Sequence, residues 1–321
     1  MTAPRSRTTA PVTAAQEAGT AAVPGWEAMP RLTTTVPREY VHRASHAEVF
    51  LTSCRRLDED RFALTGEWPR VHPFFTSADG GSHAALQAAE TVRQTGLFLA
   101  HAEFDVPLGH HFLLSELYLT TFAENMVIGR GPSDLSLTAA CTDMVRRGKR
   151  LSEFGMDITI ERDGRPCAVG GGRFACISDG TYRRLRGAAG SAGPRSRALP
   201  RRTLAPGAVG KASPADVVIA ATDRPGRWVL DPDPRHAILF EHAGDHYPGM
   251  VLLEAAWQAA TALGGPRGTA PSSVHAEFQR YAEFASPVWI TATHTEGAGN
   301  GGSIWITGTQ QDHTVFTATA G

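Results

Sequence analysis

Cysteine is scarce in this chain, with four in 321 residues, and Cys54, Cys141, Cys167 and Cys176 fall in no CxxC pair and no zinc-type spacing. A disulfide scaffold and a cysteine-held zinc are thereby excluded, and a reduced, cytoplasmic setting is the expectation. An excess of either charge is also missing: 31 Lys and Arg face 32 Asp and Glu, for a net charge of −1. Nucleic acid and membrane surfaces both select for a basic face, so neither is expected as a partner. The N-terminus mixes Thr, Ala, Pro and Arg without a continuous apolar run, so no signal peptide and no membrane span is read there. Residues 1–35 are expected to be flexible. No motif implies a cofactor, and His42 with His46, four apart, lacks the third ligand that a metal needs.

What is present is a chain that is 42% hydrophobic, enough for one large core or two modest ones, with its length favouring two. The most informative stretch runs from Glu241 to Ala259. A loop carrying His242, Asp245 and His246 passes through Pro248-Gly249 into an apolar helix with Glu254 on its second turn. Pro and Gly open a helix without closing off its first backbone N–H groups, which remain as donors toward developing negative charge. A weaker copy lies upstream: His72-Pro73-Phe74-Phe75, then His83 and an apolar run in which Glu90-Thr91-Val92-Arg93-Gln94 lines up with Glu254-Ala255-Ala256-Trp257-Gln258. The chain reads as an internal duplication with units of roughly 110 to 150 residues.

Both copies follow one plan. In the first, strands at residues 48–52 and 61–68 precede the helix, and β-rich runs at 111–122, 135–144, 156–161 and 167–177 follow it. In the second, strands at 217–219 and 228–230 precede the helix, and 274–281, 287–294, 303–308 and 314–318 follow. One long apolar helix among antiparallel strands buries itself only if the sheet curls around it. The expected fold is therefore α+β, a double hotdog: two curled antiparallel sheets, each wrapped round a long central helix, over residues 36–182 and 214–321. Residues 183–213 carry Arg, Ala, Gly, Pro and Ser with no acidic residue and read as an interdomain linker, whose arginines would suit an acidic carrier protein. Gly170-Gly171-Gly172 lies between strand signals and reads as a bulge or tight bend, not a phosphate loop.

Pro248-Gly249 with Glu254 and Gln258, then Phe278, Phe284 and Pro287-Val288, resembles the β-hydroxyacyl thioester dehydratases of the hotdog superfamily. Two such units in one chain resemble more closely the A-factor biosynthesis family, the γ-butyrolactone synthases of actinomycetes. Trp68-Pro69-Arg70-Val71-His72, Glu90 to Gln94, Val106-Pro107-Leu108-Gly109-His110-His111-Phe112 and Asp245 to Glu254 carry the likeness, which spans most of residues 38–320. The family pattern has Arg where Trp257 stands and Asp-Pro where Ala84-Ala85 stand. The resemblance implies an acyltransferase of secondary metabolism. It would move a β-ketoacyl group from an acyl carrier protein or acyl-CoA thioester onto dihydroxyacetone phosphate, a small phosphorylated acceptor, on the way to a γ-butyrolactone signal. Two alternatives stay open: a hotdog dehydratase or thioesterase, for which Trp257 would wall an acyl pocket, and a non-catalytic acyl-binding module. A homo-oligomer is compatible with either.

Acyl transfer needs donors for an oxyanion, a base for the attacking hydroxyl and a dry acyl channel. The Gly249 N–H supplies a donor, and His246, ahead of His242, supplies the base, with Asp245 or Glu241 orienting a ring. Glu90 and Glu254, on wrapped helices, are the candidate catalytic carboxylates and need partners or raised pKa values. In the expected pseudo-dimer each pocket takes a histidine loop from one unit and a helix carboxylate from the other. His246 then faces Glu90 and Arg93, and His83 or His72 faces Glu254. The first combination is preferred, because Arg93 offers a forked donor to a phosphate or carboxylate.

Overall fold

The computed structural model describes residues 33–187, 203–241, 244–264, 270–295 and 302–321; the N-terminal segment expected to be flexible lies almost wholly outside them. From Thr35 onward the chain forms one compact unit. Its strands are β1 (Leu51–Arg56), β2 (Arg61–Trp68), β3 (His111–Thr121), β4 (Ser133–Arg147), β5 (Arg150–Arg162) and β6 (Arg165–Ile177) in the first half. The second half adds β7 (Ile219–Ala221), β8 (Arg227–Leu230), β9 (Ser273–Phe278), β10 (Trp289–His294), β11 (Ile304–Gln310) and β12 (His313–Ala320). Two long helices, α1 (Ala85–Ala102) and α3 (Gly249–Gly264), fall where the duplication places them, and a short helix, α2 (Asp179–Arg186), follows β6.

Each sheet face follows from alternation. In β2 the buried positions are Phe62, Leu64, Gly66 and Trp68, and in β4 they begin at Ser133, Leu135, Leu137 and Ala139, so one face of each strand meets the helix. Helix α1 is buried on nearly all sides from Leu86 to His101, with Arg93 the exception in its central turns. A helix apolar all round belongs inside, and its polar residues must then bond locally. Thr91 accepts from the Trp68 indole at 2.9 Å, and at Gly96 an added Cβ would sit 2.5 Å from the Phe174 ring, so glycine lets the sheet press onto the helix.

The halves do not keep separate sheets: β3 pairs antiparallel with β9, Leu117 opposite Ala276, and fuses them into one twelve-stranded antiparallel sheet. Edge pairing satisfies two rows of backbone groups that separate sheets would leave open. The three glycines at 170–172 form neither a bulge nor a bend. They lie in mid-strand in β6, paired with β3 on one side and β5 on the other, and an added Cβ at Gly170 or Gly171 would strike a backbone carbonyl of a neighbouring strand.

The supposed linker is folded at both described ends. Arg183 to Arg186 belong to α2, which Ser178 caps by accepting from the Thr181 N–H. Residues 206–209 form a 3-10 turn, and Lys211 behind it reaches Glu254 of α3 at 2.8 Å. The duplication in fact extends into this segment bond by bond. Arg43 reaches Glu90 at 2.7 Å as Lys211 reaches Glu254. Gln94 donates to the Glu48 carbonyl and the Glu90 carboxylate and accepts from Phe50 N–H; Gln258 does the same with Asp216, Glu254 and Val218. His72 bonds Glu48 at 3.2 Å and His236 bonds Asp216 at 3.1 Å, and each ring accepts from two following backbone N–H groups. The counterpart of His72 is therefore His236, a structural histidine, and not His246.

Candidate active site

A cavity of about 1390 Å³ opens between the halves, reached by α1 and the 38–43 segment from one side and by the start of α3 from the other. Glu90, Arg93, Asp245, His246 and Gly249 all line it. One cavity wall thus carries the histidine loop of the later half and the buried acid and arginine of the earlier half.

His246 sits on a loop held from two directions. It bridges to Glu283, and the following residue, Tyr247, donates its N–H to the Ala282 carbonyl at 2.8 Å. Its Nδ1 lies 2.6 Å from the Asp245 carboxylate. Asp245 also accepts from the Tyr182 hydroxyl at 2.7 Å and from Arg186 Nε at 2.9 Å. Burial by itself would raise the Asp245 pKa, but the donors from His246, Tyr182 and Arg186 outweigh it and hold the group at about 2. An ionised Asp245 requires the Nδ1–H tautomer of His246 and leaves Nε2 with a lone pair. Burial lowers the pKa of His246 and the Asp245 anion works against that, so the ring is neutral at pH 7. Arg186 closes the arrangement: it is 4% exposed, donates to Glu283 at 2.6 and 2.9 Å, and lies 4.2 Å above the Tyr281 ring.

Of the two alternatives left for a buried Glu90, partners or a raised pKa, the structure supplies partners. It is wholly buried, and its carboxylate accepts from Arg43, Arg93 and Gln94 between 2.7 and 3.0 Å. Burial would raise its pKa, yet the two guanidinium groups prevail and hold it at about 2. Such a group is a fixed anion with its lone pairs taken, suited to positioning Arg43 and Arg93 and not to carrying a proton. Arg43 is bound a second time by Glu241 at 2.9 Å, which ties the 38–48 segment to the start of the histidine loop. Arg93 spends Nε and one terminal nitrogen on Glu90 and bonds the Val41 carbonyl as well.

The second predicted pocket does not assemble. His83 is 4% exposed, with Nδ1 on Gln87 and Nε2 on Ser133, and burial pushes its pKa down to about 4. Glu254 is buried against Lys211 and Gln258, away from the cavity lining, and Trp257 packs half-buried against the core. The spacing to each helix glutamate shows why: seven residues before it the halves have His83 and Tyr247, and eight before it Ser82 stands where the other half has His246. His242 lies outside the described residues.

Gly249 begins α3 at the cavity wall, and its N–H makes no hydrogen bond to the described residues. An added Cβ there would meet nothing closer than Phe278 at 3.9 Å. None of the four cysteines is among the residues lining this cavity, and burial raises the pKa of Cys54, Cys141 and Cys176 to about 12 and of Cys167 to about 11.

Sequence reasoning missed Tyr182, Arg186 and Arg43. The signal for the first two was present: Ser178-Asp179 followed by three arginines in the last turn is a helix with matched ends, but a composition average over residues 183–213 concealed it. Arg43 had no signal beyond its place between two histidines.

Two stretches, residues 26–178 and 194–320, each match the model of the A-factor biosynthesis hotdog domain. The second match begins inside the supposed linker, in agreement with the bonds made by Lys211. A "2-oxo-3-(phosphooxy)propyl 3-oxoalkanoate synthase" of Streptomyces virginiae is 45% identical over 292 residues, 90% of this chain and 98% of that one. A protein of the same name from Streptomyces griseus subsp. griseus is 36% identical over 297 residues, covering 92% and 94%. A solved 12:0-ACP thioesterase from Umbellularia californica aligns over 83% of this chain and 98% of its own at 11% identity, with a TM-score of 0.48. With two hotdog halves, both matched by one model over most of the chain, this protein belongs to the A-factor biosynthesis hotdog family.

Proposed function

We propose that this chain is a synthase of the same kind, joining a 3-oxoalkanoyl group to the hydroxyl of dihydroxyacetone phosphate to give a 2-oxo-3-(phosphooxy)propyl 3-oxoalkanoate. The observation that carries the reading at the level of residues is the Asp245–His246 pair lining the same cavity as the opening turn of α3. In this scheme His246 Nε2 removes the proton of the acceptor hydroxyl. The resulting oxygen nucleophile adds to the thioester carbonyl, and the tetrahedral oxyanion faces the Gly249 N–H, where the helix dipole adds to the stabilisation. Collapse breaks the C–S bond, leaves the ester, and returns the proton from His246 to the departing thiolate. One such donor is worth on the order of 3 kcal/mol of barrier. Met250, Leu252, Phe278, Leu239 and Phe240 give the cavity an apolar stretch suited to the acyl chain.

Glu90 and Arg93 support this site as a charged floor. Ionised Glu90 fixes Arg43 and Arg93, so the two halves keep one spacing while substrate comes and goes. The acyl donor is a thioester, on an acyl carrier protein or coenzyme A, and four free cysteines fit a cytoplasmic enzyme. Purified protein incubated with a 3-oxoacyl thioester and dihydroxyacetone phosphate is expected to release thiol and to form the phosphorylated ester, identified by mass. Thiol release at the same rate without the acceptor would turn the assignment to a thioesterase, and none at all would remove catalysis.

A further inference from the structure

The proposed acceptor is a phosphate monoester, so the cavity must supply positive charge, and the cations on its wall are not equivalent. Arg43 is bonded to Glu90 and Glu241 and is 7% exposed in its side chain. Arg93 is bonded to the same Glu90. One carboxylate thus offsets much of the charge of both, and their geometry is set by it. Arg280 differs: it lines the cavity, is exposed to solvent, and its guanidinium makes no hydrogen bond or ion pair to any described residue. Its backbone N–H donates to the Val315 carbonyl at 3.1 Å. The same segment, two residues on, accepts the N–H of Tyr247 through the Ala282 carbonyl. Arg280 is therefore carried on the strand-end loop that holds the His246 loop in place, with its side chain uncommitted.

We infer that Arg280 is the phosphate-recognition residue of this site, and that Arg93 is a structural partner of Glu90. The inference rests on the synthase reading for the identity of the acceptor, but its core claim is wider: the cavity binds phosphate monoesters through Arg280. An arginine offers two parallel N–H groups to two phosphate oxygens. Its exposed start makes ligand capture cheap, because no existing ion pair has to break. The role is one of affinity and selection between acceptors, since no bond to phosphorus changes.

The test uses the whole chain in two arms. In the first, binding of glycerol 3-phosphate, a phosphate monoester lacking the ketone, is followed by titration calorimetry on the wild-type protein, Arg280→Gln and Arg280→Lys. Loss of a charge-assisted bond is expected to weaken binding about 10- to 100-fold in Arg280→Gln, with partial recovery in Arg280→Lys and no change in thermal unfolding. In the second arm, acceptor-dependent thiol release is compared for dihydroxyacetone phosphate and dihydroxyacetone. Arg280→Gln is expected to raise KM for the phosphorylated acceptor by a similar factor, to leave kcat nearly unchanged, and to leave KM for dihydroxyacetone where it was. Equal phosphate binding by wild type and Arg280→Gln, or no binding by the wild type, overturns the inference. Phosphate binding lost with Arg280 while wild type shows no thiol release supports the phosphate site and sinks the synthase reading alone.

Discussion

Replacing Glu90 with Gln separates a proton carrier from a charge clamp. The change keeps the shape of the side chain and removes one negative charge from a site with no solvent exposure, where the carboxylate accepts bonds from Arg43, Arg93 and Gln94. Gln can still accept through one oxygen, but its amide nitrogen then points donors at guanidinium donors. Breaking one side of a buried ion pair costs about 3 to 5 kcal/mol. Arg43 keeps Glu241, and Arg93 is 17% exposed, so water takes up part of its charge and the lower end, roughly 3 kcal/mol, applies. Urea unfolding should show this loss at pH 7, where Glu90, with its pKa held at about 2, is fully ionised in the wild type. Acceptor-dependent kcat/KM should fall as the floor loosens while its pH profile keeps the wild-type limbs. Adding Arg43→Gln to Glu90→Gln should cost less than the sum of the two single changes, because both remove the same pair. A Glu90→Gln protein of unchanged stability, or one that has lost a limb of the pH profile, would refute the clamp and restore Glu90 as an acid or base.

In the proposed scheme neutral His246 acts as the base, so kcat/KM should fall as pH drops through its folded pKa, which burial places below the ordinary value of 6.5. Asp245→Asn removes the anion that partly opposes this shift, so the acid limb should move lower still while the rate drops at least about 100-fold through loss of the Nδ1–H tautomer; a limb that moves upward contradicts the pairing. Glu254→Gln should lose roughly 3 kcal/mol of stability by stranding Lys211 yet keep kcat/KM within about threefold, and a large kinetic loss with normal folding would reinstate a second site. His83 is held neutral, with a folded pKa of about 4 against 6.5 when free, so the stability it provides is complete above pH 6.5 and is lost as pH falls toward 4. That loss amounts to about 3 kcal/mol, and equilibrium unfolding of His83→Gln across this window should be flatter than wild type.

The histidine loop, the Pro-Gly opening of α3 and the alignment of Glu90 with Glu254 were all legible, because they are local patterns that set backbone geometry within a few residues. The strands were legible for the same reason, apart from their ends: the first was expected at residues 48–52 and runs Leu51–Arg56. Repeat symmetry misled at one point. It offered His83 or His72 as the first-half counterpart of the Asp245–His246 loop, whereas in space His72 and His236 hold the same structural position beside Glu48 and Asp216. Similar residue order does not fix which atom meets which.

Sequence alone determined that the chain holds two copies of a wrapped helix, that each helix carries a Glu and a Gln one turn apart, and that one copy opens on Asp-His-Tyr-Pro-Gly. Periodicity and helix-end chemistry act over short range and are written in neighbouring residues. Only the tertiary structure decided that Glu90 is an ionised clamp, that Arg186 and Tyr182 orient Asp245, and that Arg280 alone among the three arginines on the cavity wall is left uncommitted among the described residues. Charge state and availability depend on which groups from distant segments lie within about 3 to 4 Å, and that proximity is created by packing, not by order along the chain.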